Sequence, residues 1–182
     1  MRMMKLAMLA MAALLLGGVS ANAITVKKRT EAPGLPPEVW AATGAFCAIK
    51  DWYADVVTEC VEEKDGDAVV RVLTLKDGAK LKEKLTAKDD LSYSYEIVEG
   101  PLPVKNYKAK VWVEEDDEPD RTVIYWQADF DANGASDDEA KQKITDILKG
   151  GVKGIKQAAI AAHDAKTGTA AGDKDKDDDE DK

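Results

Sequence analysis

Five turn signals punctuate the middle of the chain at short, regular intervals: KDGD (64–67), KDG (76–78), KDD (88–90), GPLP (100–103) and EDDEPD (115–120). Between them apolar and charged residues alternate, the period-two pattern of strands with one wet face. In AKLKEKLTA, Leu81, Leu85 and Ala87 share one parity while Lys80, Lys82 and Lys84 share the other. Val69, Leu73 and Leu75 form a second apolar row; Tyr93, Tyr95 and Ile97 form a third. Tyr107, Ala109, Val111 and Val113 make a fourth, and Ile124, Trp126, Ala128 and Phe130 the last. The lysine faces are wet, so these rows look inward. The simplest reading is six consecutive strands in an antiparallel meander.

The flanks supply a second layer. ITVKKRTE is an extended start, and PPEVWAATGAFCAIKDW has helical character, with Pro36 and Pro37 suited to a helix entry. Gly44 divides it into two short helices, with Val39, Trp40, Phe46 and Ile49 as apolar positions. A long helix closes the chain from about Asp137 to Ala162. Its stripe runs Ala140, Ile144, Ile147, Leu148, Val152, Ile155 and Ala159 at three- and four-residue spacing. Gly150, Gly151 and Gly154 weaken that helix by roughly 1 kcal/mol each relative to alanine. They predict a close approach to the sheet, or a bend. The expected architecture is α+β: a curved sheet of about seven strands wrapped on one long helix.

Two charges break the inner pattern. Arg71 shares parity with Val69 and Leu73, and Glu83 with Leu81 and Leu85. A three-residue hairpin loop over Lys76–Gly78 sets Arg71 directly opposite Glu83. The same twelve-residue step continues to Tyr95 and Tyr107, a polar row across four strands. A lone buried charge is prohibitive, whereas a pair with phenol donors beside it is tolerable. Such a row either fixes strand register alone or also forms the floor of a cavity under the long helix.

DFDANGASDDEA (129–140) carries most of a calcium loop: Asp129, Asp131, Asn133 and Gly134. The bidentate carboxylate such a loop takes from its twelfth position is here Ala140, and a strand rather than a helix leads into it. Turn chemistry accounts for the same residues. Asn133 and Gly134 tolerate positive φ, and SDDE is a capping box in which Ser136 caps the helix and Glu139 reaches back. No metal site is expected here or elsewhere.

The termini differ from the middle. Arg2 and Lys5 precede the apolar run Leu6–Leu16, and Ala21 and Ala23 fit a small-residue cleavage pattern, so residues 1–23 read as a secretory signal peptide cut after Ala23. With no cysteine at that point and no spanning segment, a periplasmic or secreted protein without a membrane anchor is expected. Losing Arg2 and Lys5 takes the formal charge from −9 to −11, which disfavours nucleic acid and anionic lipid as partners. Residues 24–163 form one domain. From Asp164 to Lys182 no large apolar residue occurs, which predicts a disordered acidic tail. Cys47 and Cys60 permit either a disulfide in an oxidising compartment or two buried thiols. His163 is the only histidine, and no nucleophile triad or zinc set can be assembled around it.

PPEVWAATGAFCAIKDWYADVVTEC, VRVLTLKDG, LKEKL, YSYEIVEGPLPVKNY and VIYWQADF resemble the SRPBCC superfamily over roughly Ile24 to Gln157. The pattern is most similar to the polyketide cyclase/dehydrase-like group that includes MxaD-type periplasmic accessory proteins of methanol oxidation. The resemblance implies a Bet v 1/START helix-grip fold with a cavity between sheet and C-terminal helix. Arg71, Glu83, Tyr95, Tyr107 and Trp126 fall on that family's patterned positions and are the expected ligand-binding residues. Where the family often has Trp-His-Pro, this chain has Trp52, Tyr53 and Ala54. The leading expectation is a non-catalytic binder of a small hydrophobic molecule, with no cofactor. The alternatives are an accessory protein assisting a dehydrogenase–cytochrome pair, with a periplasmic redox protein as partner, and a cyclase- or dehydratase-like enzyme.

Overall fold

A computed structural model describes residues 23–168. The chain enters through β1 (Ile24–Pro33), then α1 (Pro36–Thr43) and α2 (Ile49–Trp52). The meander follows as β2 (Val57–Asp65), β3 (Ala68–Leu75), β4 (Lys80–Asp89), β5 (Ser92–Glu99), β6 (Val104–Glu115) and β7 (Arg121–Ala132), and α3 (Asp137–Thr167) closes the chain. Residues 1–22 and 169–182, which hold most of the expected signal peptide (1–23) and of the expected acidic tail (164–182), lie outside the described residues.

All seven strands form one sheet in the order β1-β7-β6-β5-β4-β3-β2. β1 therefore returns to pair antiparallel with β7, so the first and last strands are neighbours. The predicted inner rows of β5, β6 and β7 are buried apart from half-buried Ile97, and include Tyr93, Tyr95, Val111, Ile124, Trp126, Ala128 and Phe130. β4 departs from simple alternation. A bulge between Leu85 and Ala87 leaves Ala87 exposed, although its parity in the sequence points inward. A bulge places one extra residue on one strand and so reverses parity beyond it.

α3 lays Ala140, Ile144, Leu148, Val152, Ile155 and Ala159 into the concave face of the sheet. Its glycines permit that approach. A Cβ on Gly151 would run into the Trp126 ring, and one on Gly154 into the Trp52 carbonyl oxygen. The helix runs to Thr167, five residues past the expected end at Ala162, so Asp164–Thr167 belong to α3 rather than to a tail. Nothing in that stretch breaks a helix, and Lys166 adds an ion pair with Glu38 of α1. Gly168, at φ 72°, then takes the left-handed conformation that ends helices.

At the other end of α3, the Glu139 amide donates to Ser136 Oγ (3.3 Å) and the Ser136 amide donates to Glu139 Oε2 (3.0 Å). That is the expected capping box, and it spends Glu139 on the helix start. Among the described residues no three His, Cys, Asp or Glu side chains group as a metal site. Calorimetry should show no micromolar calcium binding that Asp131→Ala abolishes.

Cys47 lies in the turn before α2, not on that helix, and is bridged to Cys60 on β2 with Cα atoms 5.5 Å apart. The bridge ties the helical segment to the edge strand of the sheet. Thiol titration of the unfolded, unreduced protein should find no free thiol, and replacing both cysteines by serine should cost about 3 kcal/mol for a loop of this length. Gly154→Ala should lower stability by about 1–2 kcal/mol although alanine favours helix, because the new methyl has nowhere to go.

Candidate functional site

Arg71 on β3 and Glu83 on β4 are direct cross-strand partners, as the loop length predicts. Arg71 Nε donates to Glu83 Oε2 at 2.6 Å, and Arg71 Nη1 donates to the Phe46 carbonyl oxygen. Both side chains are sealed from solvent, Arg71 at 0% and Glu83 at 3% exposure. The guanidinium carbon sits 4.1 Å from the Phe46 ring centre and 5.1 Å from that of Tyr95. Those π faces supply attraction to a cation that lacks water.

Electrostatics follow from that burial. Desolvation works against the Arg71 charge, but the Glu83 carboxylate, with Tyr93 and Tyr95, outweighs it and holds the guanidinium above its ordinary pKa. Burial pushes the Glu83 carboxyl up, with the Arg71 charge and hydrogen bond pulling the other way. Tyr93, Tyr95 and Tyr107 are all raised, chiefly by burial, so each is a neutral phenol at working pH.

The uniform twelve-residue step does not continue past Glu83. Glu83 lies opposite Ile97, and Tyr95 lies opposite Leu85 and Ala109. The β4–β5 turn is tighter than the β3–β4 loop, and bulges at Lys82/Glu83 and Leu85/Ala87 shift the register. Tyr95 and Tyr107 therefore meet on the diagonal, ring centres 6.2 Å apart. Trp126 Nε1 donates to the Tyr95 hydroxyl at 3.1 Å.

A cavity of about 60 Å³ opens against this cluster, between sheet, α2 and α3. Glu83, Tyr95, Tyr107 and Trp126 all face it, with Leu73 and Leu81 among its apolar walls. Arg71 does not line it and instead sits behind Glu83 as its counter-charge. At the margin are Tyr53, Ile97, Leu102 and Ile147, all half-buried. Tyr53 donates its hydroxyl to the Ile147 carbonyl at 3.1 Å and so latches the end of α2 to α3. Sequence reading missed this latch and the Phe46 carbonyl. A backbone acceptor leaves no trace in residue type; the only available signal for Tyr53 was its departure from pattern.

A sheet gripping one helix over a small, almost wholly apolar cavity defines a helix-grip domain of the SRPBCC, Bet v 1-like kind. The chain belongs to the polyketide cyclase / dehydrase and lipid transport family, whose model matches residues 23–159. An uncharacterised protein of Bacillus thuringiensis has 28% identity and a TM-score of 0.69, with 75% of this chain and 98% of that one covered. XoxI of Bacillus cereus has 27% identity and a TM-score of 0.68 over 76% of this chain and 97% of its own. The Zhui aromatase/cyclase of Streptomyces sp. R1128 shares the fold, with a TM-score of 0.62 at 14% identity over 82% and 98% of the two chains. No curated protein matches.

Removing one partner of the buried pair strands the other. Glu83→Ala should cost about 3–5 kcal/mol, while Arg71→Met with Glu83→Leu should cost much less, both read by chemical denaturation. The pH dependence has a definite sign. Because the folded Glu83 carboxyl is raised above its unfolded value, the native state binds more protons between the two values. On this group alone, stability falls as pH rises through that window, and Glu83→Gln should remove that slope from the difference curve.

Proposed function

We propose that this protein is an exported, non-catalytic carrier of a small, mostly apolar molecule held between the sheet and α3. The observation that carries the reading is the cavity itself: a gap between sheet and α3 whose walls are apolar almost throughout, with Glu83, Tyr95 and Tyr107 turning mostly carbon toward it. Ligand pockets have that form, most of the contact apolar. At about 60 Å³ the cavity takes only a small fragment, against several hundred Å³ for a typical ligand site. A larger molecule enters by displacing the half-buried margin, Tyr53 and Ile147 first.

Export rests on Arg2, Lys5, the Leu6–Leu16 run and Ala21–Ala23, and the bridged Cys47–Cys60 pair suits an oxidising compartment. The accessory reading, service to a periplasmic dehydrogenase–cytochrome pair, rests on resemblance alone: the GPLPVKNY and F-C-x-I-x-D-W patterns point to the group and not to one function within it. A cyclase-like reading has Glu83 as its one candidate acid or base, and Arg71 already engages that carboxylate.

Native mass spectrometry of protein purified from the exported fraction should show a bound small molecule. Ile97→Trp, which fills the margin, should remove that mass while leaving the circular dichroism spectrum unchanged. An empty protein, or a mass that persists in Ile97→Trp, would overturn the assignment.

A further inference from the structure

The convex face of the sheet, on the far side from the cavity, is built of cross-strand rows that the register defines. Lys27, Gln127, Lys110, Ser94 and Ala87 run in order across β1, β7, β6, β5 and β4. To one side of this row Trp112 lies opposite Tyr125; to the other Lys108 lies opposite Asp129. The row is long at its β1 end and short at Ser94 and Ala87, and the bulge in β4 is what turns Ala87 outward. Short side chains between long ones leave a trough of about 290 Å³. Thr86 and Ser94 lie in its bed, with Trp112, Lys108, Lys110 and Gln127 along its sides.

Trp112 and Tyr125 are the two aromatic residues of this face; the other strand aromatics point inward. Their rings stack with centres 4.8 Å apart, and Trp112 Nε1 donates to Glu114 at 2.8 Å. The indole is therefore held in one orientation before any ligand arrives, which lowers the ordering cost of binding. The patch is cationic in a chain of formal charge −9. Lys27 stands over the ring pair, 4.4 Å from the Tyr125 centre, and Lys110 Nζ lies 5.6 Å from the Trp112 centre. The neighbouring acids are engaged already, Asp129 by Thr25 and Gln127 and Glu96 by Lys84.

A ligand for this trough needs an apolar face to lie on the indole and hydroxyls to match Thr86, Ser94 and Gln127, which both donate and accept. It also needs a negative charge for the lysines. A pyranose ring carrying a carboxylate has all three: C–H bonds on its faces, hydroxyls around its edge and the acid at one corner. We infer that the trough is a second binding site, for an acidic sugar, a hexuronate unit of a glycan. It is separate from the cavity and does not depend on what the cavity holds. Strands carry every contact group, so the site is formed in the free protein. An acidic peptide would meet the lysines but presents no sugar ring for the indole and few hydroxyls for the bed.

The test is an NMR titration of the full protein with tetragalacturonate, read on the amide signals and the Trp112 indole Nε1–H. Shifts should concentrate at Trp112, Ser94, Lys110 and Gln127, with a Kd of about 1 mM or tighter. Trp112→Ala should weaken binding about tenfold. Ser94→Tyr, which fills the bed with a residue suited to strands, should abolish it. The remaining amide signals report that each variant is folded. The methyl ester of the same oligomer keeps the rings and loses the charge, and should bind about tenfold more weakly. Absence of shifts at about 10 mM oligomer would overturn the inference. So would unchanged affinity in either folded variant, or equal affinity for the methyl ester. Equal affinity for tetraglutamate at the same signals would overturn it too, by making the trough a site for acidic peptide.

Discussion

The Arg71–Glu83 pair is the interaction around which the rest of the inner face is arranged. Two charges at 0% and 3% exposure require each other, because either alone would face the desolvation cost with no counter-charge. Their pairing fixes the β3–β4 register, since a one-residue slip would carry one of them to the solvent face and leave the other buried without its partner. It also fixes what lies above. The Arg71 guanidinium holds the Phe46 carbonyl and stacks on the Phe46 ring, which anchors the turn between α1 and α2. The Cys47–Cys60 bridge secures the next residue of that turn to β2. Sheet and helical segment are thus joined at two adjacent points, one ionic and one covalent.

That anchoring decides where the cavity lies. α2 brings Ile49, Trp52 and Tyr53 over the open side of the sheet, and α3 meets them there because glycine stands at each close contact. Gly151 admits the Trp126 ring, Gly154 the Trp52 carbonyl, and Gly150 the Tyr53 hydroxyl. A helix with alanine at those positions would be intrinsically more stable and would stand farther from the sheet. The remaining gap is small and apolar, and Glu83 is its one charged wall residue. Arg71, held behind it, governs the carboxylate without presenting a cation to a ligand. The cavity surface is therefore apolar almost throughout, with the buried charges held behind it.

Family membership places this cavity where a ligand is expected, but the particular residues restrict the choice. The Tyr53 hydroxyl is engaged with the Ile147 carbonyl. That bond ties the end of α2 to α3 across the cavity margin. The shared fold with an aromatase/cyclase at 14% identity speaks for the scaffold and not for the reaction.

The sequence by itself determined the strand count, the inward parity of Tyr93, Tyr95, Val111, Trp126 and Phe130, the Arg71–Glu83 pairing and the capping box at Ser136. Each of these is local: a period of two, a loop of known length, or a three-residue spacing, and local patterns are written in residue type. What only the tertiary structure decided involves distance along the chain. Return of β1 to β7, the diagonal meeting of Tyr95 with Tyr107, the exposure of Ala87 and the exclusion of Arg71 from the cavity wall all depend on bulges and on packing between remote segments. A bulge changes register without any residue that announces it, so a step extrapolated from one hairpin fails at the next. The Tyr53 latch and the Phe46 carbonyl were equally hidden, since both use backbone oxygens, which every residue carries alike.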